Sequence, residues 1–331
     1  MNARRRPGAS RIGAAKIAAA VAIALGLGTL TACSTTGAAA GGTGKFDVVT
    51  SFYPMAFLAE RIGGDHVHVT SLTSPGQEPH DLELSPLQIA GIQDSDAVLY
   101  LKNLQPSVDD AVAQSPVRTK IDAASLTTLE EHGTEVGGHA AAHDTPDAHD
   151  PGDHAESAGL DPHIWLDPVR YAQVAGGVGK AFEKADPEHA ADYRRNTAAL
   201  VKQLGRLNTE FEDGLAHTRT RVFITTHAAF GYLAERYGLT EEAINGLDPE
   251  SEPSAARVKE LQKLARADHV GTVFYETLVS DDTAKTIAGD AGLRTDVLDP
   301  IEGITGKSRG KDYLAVQRAN LKALQQALGA K

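Results

Sequence analysis

Short apolar runs alternate with amphipathic stretches along most of this chain, and one such unit occurs twice. The first copy runs Val48-Val49-Thr50-Ser51-Phe52-Tyr53-Pro54 and on through Leu58-Ala59-Glu60-Arg61 to Gly63. The second runs Val222-Phe223-Ile224-Thr225-Thr226-His227 and on through Leu233-Ala234-Glu235-Arg236 to Gly238. Each reads as a buried strand, a Thr-rich turn and an amphipathic helix closed by a glycine cap. The parallel continues loosely. Gln77-Glu78-Pro79 matches Ser251-Glu252-Pro253, and Asp96 to Tyr100 matches Gly271 to Tyr275. Strand–helix alternation in both halves predicts an α/β protein: two related lobes with mostly parallel sheets flanked by helices, facing each other across a cleft.

Between the copies, residues 169–217 carry almost no strand signal. Asp186-Pro187 interrupts them, and Glu188 to His217 reads as one helix of about 30 residues, about 45 Å long at the α-helical rise. Such a helix is a stiff strut; two shorter helices meeting at a kink near Gly205 are the alternative. The expected organisation is a first lobe over 45–185, a linking helix over 186–217 and a second lobe over 218–331. Just before the helical stretch, Asp161-Pro162-His163-Ile164-Trp165-Leu166-Asp167-Pro168 has two Asp-Pro turn signals around what reads as a short apolar strand, with His163 at its start.

The first residues change the picture of where the chain works. Arg4, Arg5, Arg6, Arg11 and Lys16 precede an apolar run, Ile17 to Leu30, too short to span a bilayer. That is the pattern of a signal peptide over 1–32. It ends Leu30-Thr31-Ala32-Cys33, which resembles the bacterial lipobox, so Cys33, the single cysteine, is the expected lipidation site. Residues 33–44 then form a small-residue tether that holds an exported domain off a membrane. With no other thiol, no disulfide staples the domain. The formal net charge is −12, and without the five leader cations the remainder sits near −17. That excess argues against nucleic acid and anionic lipid as partners and fits a cationic ligand.

Thirteen histidines are present. His189, His217 and His269 fall on helix surfaces or loop edges, and His66 and His68 alternate along a strand, so these five read as structural or solvated. His80, His163 and His227 instead fall at strand-to-helix turns, where doubly wound folds bind ligands. His227 stands where the first copy has Phe52, so the fold pattern does not require it. A carboxylate near the last strand, Asp299 or Glu302 in Leu298-Asp299-Pro300-Ile301-Glu302-Gly303, would complete a tetrahedral set. Three imidazoles and one carboxylate suit Zn²⁺ better than Mg²⁺ or Ca²⁺.

Taken together, Pro-His-Asp at His80, Asp-Pro-His-Ile-Trp-Leu-Asp-Pro at His163, Thr-His-Ala-Ala-Phe-Gly-Tyr-Leu at His227 and Asp-Pro-Ile-Glu-Gly near 300 resemble the zinc-uptake solute-binding lipoproteins of bacterial ABC transporters, whose two lobes are joined by a rigid helix. The resemblance covers nearly all of 45–331. It implies His80, His163 and His227 as metal ligands, with Glu302 favoured as the fourth over Asp299 or water. It also implies Zn²⁺ as transported ligand, a monomer anchored at the outer face of the cell membrane, and an ABC permease with its ATPase as partners. Manganese receptors of the wider family tend to carry Glu at the position of His227. The acidic stretch 131–158, with His132, His139, His143, His149 and His154, cannot order itself and reads as a low-affinity metal collector, the alternative being a solvated, variable insertion. Two other readings are open. One is a zinc-binding adhesin or extracellular zinc buffer on the same scaffold. The other is an exported zinc hydrolase, for which Glu78 is the one obvious spare base, and which lacks the His-Glu-x-x-His and Gly-x-Ser-x-Gly motifs.

Overall fold

The computed structural model describes residues 44–136 and 160–330. The leader, Cys33, most of the tether, and His139, His143, His149 and His154 lie outside the described residues. Among the described residues no helix is long and apolar enough to cross a membrane.

The first lobe opens with β1 (Phe46–Thr50), α1 (Tyr53–Gly63) and β2 (Val67–Ser71), followed by α2 (Pro86–Asp94), β3 (Ala97–Tyr100), α3 (Pro106–Gln114) and β4 (Thr119–Asp122). Its sheet is wholly parallel in the order β2-β1-β3-β4. A proline occupies the first turn of α1, α2 and α3, where its missing N–H costs nothing. Ser85 and Gln88 add a reciprocal capping box at the start of α2.

The second sheet has the order β5-β7-β6-β8-β9, built from β5 (Glu135–Val136), β6 (Val222–Thr225), β7 (Thr240–Ala243), β8 (Thr272–Tyr275) and β9 (Arg294–Val297). It is parallel except for β5, which runs antiparallel to β7. This edge strand precedes the linking helices, so the chain reaches the second sheet before the main crossing. The Arg257 guanidinium fixes it there, donating to Thr134 O at 2.8 Å and Ala243 O at 2.9 Å while pairing with Glu242 at 2.8 Å. The helices of this half are α6 (Gly231–Tyr237), α7 (Ala255–Ala267), α8 (Asp282–Ala291) and α9 (Tyr313–Leu328).

The two repeats fold alike. In the second copy Gly238 caps α6 at φ 62°; in the first, Gly63 is the last helical residue and Gly64, at φ 56°, takes the turn. Between the halves, α4 (Pro168–Ala185) leads through a 3-10 turn at Pro187–His189 into α5 (Ala190–Leu215). The latter has 26 residues, about 39 Å, and runs unbroken through Gly205. It is shorter than the sequence reading because Pro187 begins a tighter turn. Tyr193, Leu200, Leu204, Leu207, Phe211 and Leu215 form its buried face. That face meets α1 and α4 of one lobe and α6 and α9 of the other. One apolar cluster consequently runs from Val48 and Leu99 through α5 to Phe223, Phe274 and Leu324.

Three local expectations are corrected. Ile164–Leu166 is a fully buried 3-10 turn and not a strand, closed by Asp167 capping α4 at 2.8 Å. His66 ends a 3-10 turn, stacked on His189 with ring centroids 4.0 Å apart, while His68 in β2 meets Asp47 at 3.0 Å. His132 is not part of a solvated collector: it is 8% exposed and bonded to Asp161 at 2.6 Å.

Candidate metal centre

The loops after β2, β6 and β9 and the turn before α4 converge at one point. His80 belongs to the loop between β2 and α2, where Glu78 accepts the backbone N–H of His80 at 3.1 Å and of Asp81 at 3.3 Å. His163 precedes the 3-10 turn, and its backbone N–H donates to Asp161 at 2.9 Å. His227 follows β6 by two residues. Glu302 follows a turn in which Ile301 adopts φ 60°, held by the Asp299 carboxylate accepting the Ile301 N–H at 2.8 Å. A β-branched residue in the left-handed region is strained, and it persists because Ile301 is fully buried. Trp165 ties two of these loops together, its indole N–H donating to Pro300 O at 2.7 Å.

His80, His163, His227 and Glu302 each present a donor atom within 4.8 Å of the other three. The Nε2 atoms lie 3.2, 3.4 and 3.8 Å from Glu302 Oε1, in the order His80, His163, His227. A tetrahedral ion with bonds of about 2.0–2.1 Å sets donor–donor edges of about 3.4 Å, so the spacing fits zinc coordination with little movement. His163, His227 and Glu302 are buried, and His163 Nε2, His227 Nε2 and Glu302 Oε2 find no hydrogen-bond partner among the described residues. Orphaned buried polar atoms are rare and costly, and three aimed at one place mark a site for something else. His80 alone is partly open, its side chain 12% exposed. It lines a cavity of about 410 Å³ with Asn103, Leu160, Pro162, Leu247 and Asp248.

The structure thus brings together the three histidines and Glu302 and leaves Asp299 outside, its carboxylate engaged by Ile301 and by Thr277 Oγ1 at 3.2 Å. Two residues that sequence reasoning missed stand behind the imidazoles. Asp161 faces His163 Nδ1 at 2.7 Å, and Glu276 faces His227 Nδ1 at 2.8 Å while accepting from Thr226 Oγ1 at 2.7 Å. Each carboxylate fixes the tautomer that leaves Nε2 free to bind a cation. Asp161 was visible as a turn residue two positions before His163; Glu276 stands at the carboxyl end of β8, where an acid is a candidate by position.

The charges are interlocked. Burial alone would pull the His163 pKa down, but the Asp161 carboxylate, with help from Glu302, lifts it to about 10. The same balance, with Glu276 in place of Asp161, raises His227. Burial works against an ionised Glu302, yet the His163 and His80 imidazoles facing its carboxylate hold it far below the usual carboxylate range. The carboxylates that raise His163 and His227 favour a proton there, and a cation binding at those nitrogens competes with it.

Comparison with known proteins adds the family. The sequence profile of the family described as "Zinc-uptake complex component A periplasmic" matches residues 48–327. The zinc-binding lipoprotein AdcA of Streptococcus pneumoniae is 34% identical over 289 residues, covering 86% of this chain and 56% of that protein. The chain therefore spans about half the length of the AdcA relatives it matches. The high-affinity zinc uptake system protein ZnuA of Bacillus subtilis is 32% identical, covering 89% of this chain and 91% of the relative. A solved structure of the laminin-binding protein Lmb of Streptococcus agalactiae, described as a bifunctional protein with adhesin and metal transporting activity, superposes with TM-score 0.72 at 31% identity, covering 86% of this chain and 99% of that one. On the matched span of residues 48–327, the chain belongs to the family of zinc-uptake complex component A.

Proposed function

We propose that the protein is an extracytoplasmic receptor that captures Zn²⁺ through His80, His163, His227 and Glu302 and delivers it to a membrane ABC permease with its ATPase. The observation that carries this reading is the convergence of three imidazoles and one carboxylate, three of the four residues buried, with three donor atoms left without a hydrogen-bond partner among the described residues. His80 and His163 come from the first lobe and His227 and Glu302 from the second. Bound zinc then joins the lobes, which is how a permease would tell the loaded form from the empty one. Mixed nitrogen and oxygen donors favour zinc over hard divalent cations.

The receptor performs no reaction on its cargo. Glu78, which a hydrolase would need as base, is committed to the His80 turn through both its oxygens. Adhesion, the other activity of the Streptococcus agalactiae protein, would use an outer surface and leaves the buried donor set unexplained. In this reading the protein is exported and held at the membrane through a lipidated Cys33, and it works as a monomer.

The test is a titration of the metal-stripped protein with Zn²⁺ and with Mn²⁺, followed by heat and by Trp165 fluorescence. Trp165 is fully buried with its ring centroid 5.1 Å from that of His163, so it reports on the site directly. A one-to-one zinc step, weaker for manganese and lost in His80→Ala and His227→Ala, is expected. Zinc binding indifferent to both substitutions would refute the assignment.

A further inference from the structure

Glu130, His132 and Glu235 form a second set of metal-ligating groups away from the cleft, with one donor atom of each within 4.8 Å of the other two. Glu130 and His132 lie just before β5, and Glu235 is on α6. His132 is buried edge-on to the Tyr232 ring, with centroids 4.5 Å apart. Its Nδ1 meets Asp161 Oδ2 at 2.6 Å, and Asp161 Oδ1 meets His163 Nδ1 at 2.7 Å. One carboxylate therefore orients two imidazoles. The tautomer it enforces leaves His132 Nε2 with a lone pair, 3.9 Å from Glu235 Oε2, as it leaves His163 Nε2 with one in the cleft.

A cation already visits this place. The Arg170 guanidinium is paired with Glu130 and lies 3.9 Å from Glu235. It offsets one of the two carboxylate charges and leaves His132 Nε2 and Glu235 Oε2 facing each other. Arg170 has other partners when it leaves: Thr128 O at 2.5 Å, Asp167 at 3.6 Å and the Tyr232 ring face at 4.5 Å. The Glu130 and Glu235 side chains are 37% and 53% exposed, so water can reach the cluster and complete a coordination shell. The antiparallel bridge between Glu131 and Leu160 closes the chain at this same edge.

We propose that Glu130, His132 and Glu235 form an accessory site for a borderline divalent cation such as Zn²⁺, with the ion taking Arg170's place on Glu130. One imidazole and two half-exposed carboxylates make it weaker than the cleft and quicker to exchange. It stands or falls separately from the receptor reading.

The experiment loads the full chain with Zn²⁺ alone and pairs crystallography with titration. Anomalous density at the zinc edge is expected about 2.0–2.1 Å from His132 Nε2, in addition to density in the cleft. In solution, Glu235→Gln, a half-exposed position that should not disturb folding, is expected to weaken a second, lower-affinity zinc equivalent by about tenfold or more while the first equivalent stays within about twofold. Anomalous density confined to the cleft, with Arg170 still on Glu130, would overturn the proposal. So would a Glu235→Gln titration indistinguishable from that of the unaltered protein. Loss of the cleft equivalent alone would instead refute the receptor reading, because density at His132 is read independently.

Discussion

Glu276 is not one of the four converging donor groups, yet its replacement by glutamine should weaken zinc binding measurably. The carboxylate is 3% exposed, and its Oε1 bonds both Thr226 Oγ1 at 2.7 Å and His227 Nδ1 at 2.8 Å. Glutamine keeps the shape and an acceptor oxygen but removes the charge that makes His227 a stronger donor to the metal. Losses for such supporting carboxylates run about 10–100-fold in affinity, or about 1.4–2.8 kcal/mol. Removing a ligand outright, as in Glu302→Gln, should cost more. The assay is competition for Zn²⁺ against a chromophoric chelator at neutral pH, with urea unfolding of the metal-free proteins to establish that both are folded. Glu241→Gln is the control: Glu241 is equally buried but bonds Thr225 and the Phe230 N–H, not His227. If Glu276→Gln binds zinc within about twofold of the unaltered protein, or if the control loses as much, the orienting role assigned to Glu276 is wrong.

Three further outcomes follow from the same contacts. Glu241 is a carboxylate whose pKa burial pushes up to about 7 from 4.5. The folded state therefore holds its proton more tightly than the unfolded state, and stability falls as pH rises from about 4.5 to about 7. Glu241→Gln should consequently stabilise the metal-free protein at pH above about 7, by up to about 3 kcal/mol, and not below about pH 4.5; equal urea midpoint shifts at both ends would contradict this. Gly231→Ala would drive a Cβ to 2.5 Å from the His132 ring, which Asp161 and Tyr232 hold in place. That overpacking should cost about 1–3 kcal/mol, read as a lower thermal midpoint; an unchanged midpoint would show that the ring can move aside. Asp299→Ala should destabilise the fold by about 1–3 kcal/mol through the lost Ile301 and Thr277 bonds, yet still bind one zinc in the cleft. Loss of stoichiometric binding there, in a variant that remains folded, would make Asp299 a ligand after all.

How much of this was legible in the sequence depends on the range of the interaction that decides each feature. The duplicated unit around β1–α1 and β6–α6 was readable because strand, turn and glycine cap are local. His227 stood out because its counterpart Phe52 is an ordinary core residue, packed edge-on against Trp165 with centroids 4.9 Å apart. Ile164–Leu166 was misread because three apolar residues between two Asp-Pro pairs carry no usable periodicity. Glu276 was missed because its partner is 49 residues away, and His132 because a histidine in an acidic, glycine-bearing stretch looks solvated until Asp161 is seen beneath it.

The same long-range packing bears on how a metal ion held at the proposed site would leave. His80 and His163 hang from one lobe and His227 and Glu302 from the other, so opening the cleft by rotating the lobes would separate the four proposed ligands two by two. But α5 is packed on helices of both lobes, and the apolar cluster runs through them without a break. A large rotation would have to tear that cluster, and close-packed interiors do not deform gradually. His80 is the exception among the four. It lies on the loop between β2 and α2, held by the two N–H bonds to Glu78, and is the most exposed of the four proposed ligand side chains. Withdrawing that loop would strip one ligand and open the site toward the cavity at Asn103 and Asp248, leaving the three buried ligands and the core in place. Exchange through the His80 loop therefore demands far less of the structure than exchange by lobe rotation.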